Sequence, residues 1–327
     1  MVSINDVAKK ANVSKSTVSL VINNTGYVSA ATRKKVEAAM AELAYVPNQL
    51  AKNLSSQRSN LVGVVIPDII HPFFSLFVKH IEDFLYERGY MTMVCSTLGR
   101  EKVEQKYLEW LNRHTMDGII MGVHTLDVAE YQATTRPIVS LDRFLSDDIP
   151  MISSNHAQAA ELAVEMLRKN NCRNVVQFMG SSKVKIGAEN FVLECKRLFN
   201  QADETMITHV MPTNTFALDD YFATAKEAFE KYPDVDAFIG SDMVITQCLK
   251  LAEQHHLDVP DKLKLIAYDG TQVTRIGPKQ ISAIVQPIEQ LAQSAAEQLI
   301  AKIEGNSKIT EPTPLAVSWQ AGETTIY

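Results

Sequence analysis

A cluster of small polar residues near the N-terminus has the chemistry to contact nucleic acid. Lys15, Ser16, Thr17 and Ser19 follow a capping residue, Ser14, so they occupy the first turns of a predicted short helix. A short helix presented by its N-terminal end fits the major groove of DNA, where hydroxyls and an ammonium group reach base edges and phosphates. The chemistry predicted for this segment is therefore non-covalent binding.

The distribution of charge favours the same interpretation. Residues 1–58 contain eight Lys and Arg against three Asp and Glu, a net charge of +5, whereas the whole chain of 327 residues carries −6. The rest of the chain therefore carries −11. A basic segment joined to an acidic body is typical of a phosphate-binding module attached to a partner domain.

Three short helices are predicted to position the polar cluster. Ser3, Ser14 and Ser29 each precede a stretch in which apolar residues recur at helical spacing, which is the position of an N-cap. Residues 23–26 favour a turn that ends the second helix, and Pro47 lies beyond the third. The pattern predicts a helix-turn-helix, with a plain three-helix bundle as the alternative.

The segment resembles the DNA-binding headpiece of the lactose-repressor (LacI/GalR) family over more than 40 residues. The matching motifs are Asp6-Val7-Ala8, Val13-Ser14-x-x-Thr17-Val18-Ser19, Asn23, Val28-Ser29-x-x-Thr32-Arg33-x-x-Val36 and Leu43-x-Tyr45-x-Pro47-Asn48. The resemblance implies that the residues that contact DNA are Ser3, Asn5, Lys15, Ser16, Thr17, Ser19, Asn23, Tyr27, Ser29, Thr32, Asn48, Ala51 and Leu54.

The resemblance also identifies residues 48–54 with the hinge helix of the family. It implies that Leu54 enters the minor groove at the operator centre, where such a wedge unstacks a base step and bends the duplex. Seven residues are too few for a stable isolated helix, so we expect it to fold only with two subunits and DNA present. One departure is Leu20, where the family usually has arginine, and we expect the outer operator bases to differ accordingly.

From residue 61 onward, short apolar runs alternate with amphipathic helical stretches, which predicts parallel sheets covered by helices. About 270 residues are too many for one such sheet, so the predicted fold is an α/β core of two doubly wound lobes. The family resemblance extends to this core and implies that it is similar to periplasmic sugar-binding proteins. The predicted strands are 61–66, 92–96, 118–121, 138–141, 175–179, 237–240 and 263–268, and the predicted helices are 74–88, 102–114, 157–170, 218–232 and 243–256. The predicted domains are an all-α headpiece (1–46), a hinge helix and linker (47–59) and the core (60–327), with an N-lobe of about 60–158 and 288–314 and a C-lobe of about 159–287 and 315–327.

Polar residues follow several predicted strands, and ligands of such folds bind at the carboxyl ends of strands, in the cleft between lobes. Asp142, Asp269 and Gln286 stand at such positions, where carboxylates and an amide suit the hydroxyls of a sugar. Asp242 stands there too, but the sequence favours a helix-capping role for it equally. The family resemblance extends over the core and implies a ligand site formed by Phe73, Phe74, His124, Asp142, Asn190, Phe216, Asp242, Asp269 and Gln286.

The resemblance gives two indications about the ligand. The family usually places an arginine at the position of Asn190, and because asparagine cannot neutralise an anion, we expect a neutral ligand. Short motifs at 118–124, 141–143, 153–155 and 268–271 look most like those of sucrose-operon repressors of Gram-positive bacteria, so a sucrose-like saccharide is the expected effector.

Several function classes find no support in the sequence. It contains no catalytic or phosphate-loop motif, so we expect neither an enzyme nor a cofactor. The four cysteines lack the spacing of metal ligands, so we expect no metal site. No apolar run approaches ~18 residues, and the N-terminus does not resemble a signal peptide, so we expect a cytoplasmic location.

The sequence thus predicts a repressor that binds a palindromic operator in double-stranded DNA as a homodimer, away from membranes, and is released by a neutral sugar. The alternative is a global catabolite regulator of the same fold that is controlled by a phosphoprotein co-repressor.

Overall fold

The structure, a computed structural model, describes residues 2–45, 58–97, 100, 102–180, 188–200, 204–211, 216–306 and 313–327. Contacts divide the chain into two compact units, Met1–Ser59 and Asn60–Tyr327. The predicted hinge helix, with Asn48, Ala51 and Leu54, lies outside the described residues. No helix in the described part of the chain is long and apolar enough to cross a membrane.

The first unit contains the three predicted helices, α1 (Ile4–Ala11), α2 (Lys15–Asn23) and α3 (Ala30–Glu42). The hydroxyl of Ser14 accepts a hydrogen bond from the backbone N–H of Thr17, and Ser29 caps α3 in the same way. Between the helices, asparagines in the left-handed conformation end α1 and α2. The helices bury a small core of Val7, Ala8, Ala11, Val18, Val21, Val36 and Ala39.

The second unit begins with a five-stranded parallel sheet in the order β2-β1-β3-β4-β5. Its strands are β1 (Leu61–Ile66), β2 (Met91–Ser96), β3 (Gly118–Met121), β4 (Ile138–Leu141) and β5 (Met151–Ile152), and the helices that follow them are α4 (Pro72–Glu87), α5 (Val103–Asn112) and α6 (Val128–Gln132). One face of this sheet packs on α4, and the opposite face packs on α5 and α6.

A six-stranded sheet follows in the order β11-β10-β9-β8-β6-β7, parallel except for β11, which pairs antiparallel with β10. Its strands are β6 (Asn174–Met179), β7 (Thr205–Val210), β8 (Ala237–Ser241), β9 (Lys264–Asp269), β10 (Ser282–Val285) and β11 (Ser318–Gln320). The helices are α7 (His156–Lys169), α8 (Ala188–Phe199), α9 (Leu218–Lys231) and α10 (Asp242–Gln254), with a 3₁₀ turn at Gln272–Arg275.

The chain crosses between the two sheets more than once. It leaves the first sheet after β5 and returns to it after β10, when the final helix α11 (Ile288–Glu304) packs on the first sheet beside α4. It then crosses back to add β11 to the second sheet. The two doubly wound lobes predicted from the sequence are therefore confirmed, and the crossing segments bring residues from both lobes together.

Candidate functional site

The start of α2 forms a polar surface on the first unit. The Ser14 hydroxyl lies 2.7 Å from that of Ser16 and 2.8 Å from that of Thr17, and Lys15 beside them is exposed. This surface offers hydroxyl donors and acceptors together with one positive charge. Such groups are suited to base edges and phosphate oxygens.

The other described positions of the predicted DNA surface are also accessible. The amide nitrogen of Asn23 donates to the Ser19 hydroxyl over 3.2 Å, and Tyr27 is 94% exposed with its ring uncovered. All ten are exposed or partly exposed: Ser3, Asn5, Lys15, Ser16, Thr17, Ser19, Asn23, Tyr27, Ser29 and Thr32. Leu20 is partly buried, and its side chain lies against the turn at Gly26.

A cavity of about 970 Å³, its open mouth included, lies between the two lobes of the second unit. The carboxyl ends of β4, β8 and β9 reach it, as does the start of α4. Six of the predicted ligand residues line it, namely Phe73, Phe74, Asp142, Phe216, Asp269 and Gln286. A mostly apolar cavity with a few convergent polar groups is typical of small-molecule sites.

Asp269 is held at the cavity by hydrogen bonds that join the two lobes. One of its oxygens accepts from the Gln286 amide over 2.7 Å, and the Gln286 oxygen accepts from the Ser154 hydroxyl over 2.8 Å. Burial, together with the negative charge of Asp242, raises the pKa of Asp269 well above its ordinary value. A ligand that donates a hydrogen bond to this carboxylate would restore part of its lost solvation.

Asp142 is anchored by a second set of contacts. Its Oδ1 accepts from the Ser153 hydroxyl and from His156 Nε2, both over 2.8 Å, and His156 Nδ1 lies 2.5 Å from the hydroxyl of Tyr268. The Tyr268 ring stacks on Phe191 with centroids 4.0 Å apart, so an aromatic pair from the C-terminal lobe supports the group that orients Asp142.

The backbone at both carboxylates adopts uncommon conformations. The φ angles of Asp142 and Asp269 are +59° and +133°, in a range that residues with a Cβ seldom adopt. Strain of this kind is concentrated at sites where side-chain placement matters for binding.

Three predicted ligand residues do not line the cavity. His124 is 1% exposed, and its Nε2 is hydrogen-bonded to the Ser140 hydroxyl. Its ring also packs edge-on against Tyr131, so the side chain is engaged within the protein and not at the cavity. Asn190 is exposed, because the neighbouring residues of α8, Phe191 and Val192, are the ones turned inward.

Asp242 is the third predicted ligand residue that does not line the cavity. Its carboxylate is buried and accepts hydrogen bonds from the backbone N–H groups of Gly270 and Thr271 and from the Thr271 hydroxyl. It is neither the cap of α10, which is Ser241, nor a lining residue. It fixes the loop after β9, and burial raises its pKa to about 6.

Several residues that line the cavity were not predicted from the sequence. His71, Glu189, Tyr221 and Tyr268 line the cavity. His71 is close to Phe73 and Phe74 in the sequence, and this proximity to two predicted ligand residues could have identified it as a lining residue. Glu189 is adjacent to Asn190, one residue from the predicted site.

No cluster of three or more His, Cys, Asp or Glu side chains suited to a metal ion exists in the described ranges. The four cysteines are buried thiols, and burial raises the pKa of Cys95 to about 12.

Comparison with known proteins identifies both units. A family model described as bacterial regulatory proteins, lacI family, matches residues 3–48, and one described as periplasmic binding proteins and sugar binding domain of LacI family matches residues 59–318. This chain belongs to the LacI family. It is therefore a DNA-binding transcriptional regulator with a helix-turn-helix headpiece and a two-lobed α/β core.

Relatives of this LacI-family chain span nearly its whole length. A sucrose operon repressor of Pediococcus pentosaceus is 35% identical over 97% of this chain and 99% of that protein. A ribose operon repressor of Halalkalibacterium halodurans is 30% identical over 93% of this chain and 91% of that protein. The crystal structure of the lac repressor dimer bound to operator and the anti-inducer ONPF superposes with a TM-score of 0.85 and 25% identity, covering 100% of this chain and 99% of that one.

Proposed function

We propose that this chain represses a sugar-utilisation operon, binds a palindromic operator as a homodimer in the cytoplasm, and is released when a neutral sugar fills the cavity between its lobes. The observation that carries the proposal is the set of polar groups at that cavity. Asp142 and Asp269 each use one carboxylate oxygen within the protein, and neither Oδ2 has a hydrogen-bond partner among the described residues.

The remaining lining residues fit a sugar in the same way. Phe74 and Phe216 offer apolar ring surface against which the C–H face of a sugar packs. None of the described lining residues is a lysine or an arginine, so the described wall lacks the cationic side chains that make the strongest hydrogen bonds to a phosphate or carboxylate. The sucrose and ribose operon repressors among the relatives support a saccharide as the ligand class.

The proposed DNA contacts are the accessible residues of the headpiece, with Lys15 at a phosphate and Ser16, Thr17 and Ser19 at base edges. Asn48, Ala51 and Leu54 complete the proposal from the sequence alone. Because a short hinge helix is unstable by itself, a small change in the core is enough to shift its folding equilibrium.

Coupling between sugar and operator has a thermodynamic condition. A ligand shifts an equilibrium only by the difference in its affinity for the two states, so the sugar must bind more tightly to the conformation that releases DNA. The contacts that Ser154, Gln286 and Asp269 make across the lobes would change when the lobes rotate, which gives the sugar a means to favour one arrangement. By reciprocity, operator DNA must weaken sugar binding by the same factor.

The alternative, control by a phosphoprotein co-repressor, would place the regulatory contact on an outer surface instead of the cavity. The two differ in the sign of the response, since a co-repressor strengthens operator binding.

The test is a binding measurement at constant salt, because phosphate contacts dominate affinity. An operator is first selected from random duplexes, and its Kd is then measured by fluorescence anisotropy with a panel that includes sucrose, ribose and sugar phosphates. We expect at least one neutral sugar to weaken binding by about tenfold or more, within the usual range of allosteric coupling. If no neutral sugar changes the Kd, the proposed function is wrong.

A further inference from the structure

We propose that His156 is a positioning residue that fastens the two lobes of the second unit to each other. It joins Asp142 of the first lobe, which contains the five-stranded sheet, to Tyr268 of the second lobe, which contains the six-stranded sheet. The proposal rests on the function proposed above, because it concerns the lobe motion through which a sugar acts on the operator. His156 is not one of the residues that line the cavity, so it acts through the arrangement of the lobes.

The first argument is the place of His156 in the chain. It is the first residue of α7, directly after the segment that crosses from the first sheet to the second. Its side chain is 7% exposed and reaches back to the first lobe, where its Nε2 lies 2.8 Å from Oδ1 of Asp142. Hydrogen bonds weaken steeply with distance and angle, so a bond at this crossing is sensitive to rotation of the lobes.

The second argument is that the second lobe fixes the ring. Nδ1 of His156 lies 2.5 Å from the hydroxyl of Tyr268 on β9, and the Tyr268 ring stacks on Phe191 of α8. Both supporting residues belong to the second lobe. His156 is therefore a fixed part of the second lobe, and its Nε2 binds the first lobe.

The third argument is the direction of the hydrogen bonds. An ionised Asp142 can only accept, so Nε2 carries the ring proton and Nδ1 of the neutral ring is an acceptor. Burial, together with the negative charges of Asp142 and Asp269, raises the pKa of Tyr268 well above its ordinary value, so its hydroxyl keeps the proton and donates to Nδ1. Both bonds then point toward Asp142, an order in which each bond strengthens the next.

The link between the lobes has a consequence for any partner that favours a rotated arrangement. Hydrogen bonds to charged groups are stronger than neutral ones, so breaking this bond should change the equilibrium between arrangements by about tenfold or more. Whichever of sugar and operator binds the rotated arrangement must break it. A chain that lacks the bond should therefore bind that partner more tightly, and it should not bind the competing partner more tightly.

Two amide substitutions separate the bond to Asp142 from the bond to Tyr268. In His156→Gln the terminal amide nitrogen takes the place of Nε2 and keeps a donor for Asp142. In His156→Asn the shorter amide keeps an acceptor for Tyr268 but does not reach Asp142. His255→Asn is the matched control, since it makes the same change at an exposed residue at the end of α10.

The arrangement of the lobes is measured on the full chain without DNA or sugar, as the distance between spin labels at Glu109→Cys on α5 and Glu230→Cys on α9. Both positions are exposed, and the four native cysteines are buried. Dilution with unlabelled chain restricts the signal to label pairs within one chain. We expect one distance in the parent, in His156→Gln and in His255→Asn, and a second distance in His156→Asn.

Operator and sugar affinities of the same variants give a second readout, with sucrose and ribose as the sugars. In His156→Asn one of the two affinities should rise by about tenfold, because that partner no longer has a bond to break. His156→Gln should stay within about threefold of the parent. Adding His156→Asn to a chain with Asp142→Ala should change operator affinity no further, since the bond is already absent.

The outcomes distinguish this proposal from the proposed function. The same single distance in the parent and His156→Asn overturns the role of His156, even when a sugar still releases operator. Where a sugar does release operator, losses of affinity in His156→Asn without any gain overturn it as well, because damage to the fold only weakens binding. If a second distance appears but no sugar affects operator affinity in the parent, the role of His156 stands and the proposed function fails.

A further variant keeps the proposal testable if His156→Asn does not fold. Tyr268→Phe keeps the ring that stacks on Phe191 and removes the hydroxyl that holds His156. We expect the second distance in this variant too, at a smaller population, and an unchanged distance overturns the proposal.

Discussion

The headpiece and the cavity hold their polar residues in opposite environments. Lys15, Ser16 and Tyr27 are exposed on the headpiece, whereas His71, Asp269 and other polar residues of the cavity are buried within the core. Exposed groups bind a partner without changing the free energy of folding. Buried groups affect both the affinity for a ligand and the free energy of folding, because these groups have already lost their contact with water in the folded protein before a ligand binds.

We therefore expect substitutions on the headpiece to change operator affinity without changing stability. Substitutions of polar residues in the cavity should change ligand affinity and stability together.

The largest effect is expected from Asp269→Asn. The amide still accepts from Gln286 but loses the charge that a ligand hydroxyl would solvate, so sugar affinity should fall by about 100-fold, as for hydrogen bonds to charged groups. Removing a buried charge with a raised pKa should leave thermal stability equal or higher. Calorimetry and thermal unfolding measure the two effects, and Asp219→Asn on the exposed start of α9 is the control. A large loss of stability with unchanged sugar affinity would contradict the comparison.

Asp242→Asn should affect stability rather than ligand specificity. It replaces one of the two carboxylate oxygens, which accept from Gly270 and from Thr271, with an amide that cannot accept, so the unfolding free energy at pH 7 should fall by about 1–3 kcal/mol.

The pH dependence of the parent chain checks the same residue. Because folding raises the pKa of Asp242 to about 6 from its ordinary value of 3.8, the native state binds the proton more tightly between these pH values. Its contribution to the unfolding free energy therefore falls as the pH rises from about 4 to about 6 and is constant above. Denaturant titrations at several pH values should show a smaller fall in Asp242→Asn, and an identical profile would refute the assignment.

Lys15→Ala tests the headpiece side of the comparison. Loss of a phosphate contact should weaken operator binding by about tenfold at low salt and leave thermal stability unchanged. In a dimer the contact is lost twice, so the slope of log K against log salt should shrink by about 1.8, at 0.9 per phosphate. Lys226→Ala on α9 removes one positive charge from the surface of the second unit and should leave the slope unchanged. A change near 0.9 for Lys15→Ala would indicate one headpiece per site.

The smallest effect is expected from Leu20→Ala. The side chain is partly buried against the turn at Gly26, so its loss should cost at most about 1 kcal/mol. Operator selection should show a slightly weaker base preference at the outer positions. The change should be small because the substitution removes no charged contact. A complete loss of operator binding would show that Leu20 has a direct role in DNA recognition.

The sequence predicted the headpiece better than the cavity for a physical reason. The roles of Ser14 and Ser29 depend on backbone N–H groups three residues away, so local spacing determines them. The positions of Asp142 and Asp269 at the cavity were also predictable, because the carboxyl ends of the strands lie along one edge of each parallel sheet.

The errors involve side chains whose direction depends on distant packing. Asn190 is adjacent to two inward-facing residues of α8, and a shift of one position turns a helical side chain by about 100°. Asp242 follows a strand as a ligand residue would, but its partners come from a loop 28 and 29 residues further along the chain. Edge strand β7 was missed because its alternating exposure interrupts the apolar run that marks a central strand.

The central claim is that a ligand in the cavity and an operator on the headpiece each lower the affinity of the protein for the other. The most direct test measures the Kd of the selected sugar with and without saturating operator, and the Kd of the operator with and without saturating sugar, at one salt concentration. The account predicts that both affinities fall by the same factor. A sugar that binds the cavity with high affinity while both factors equal one would contradict it.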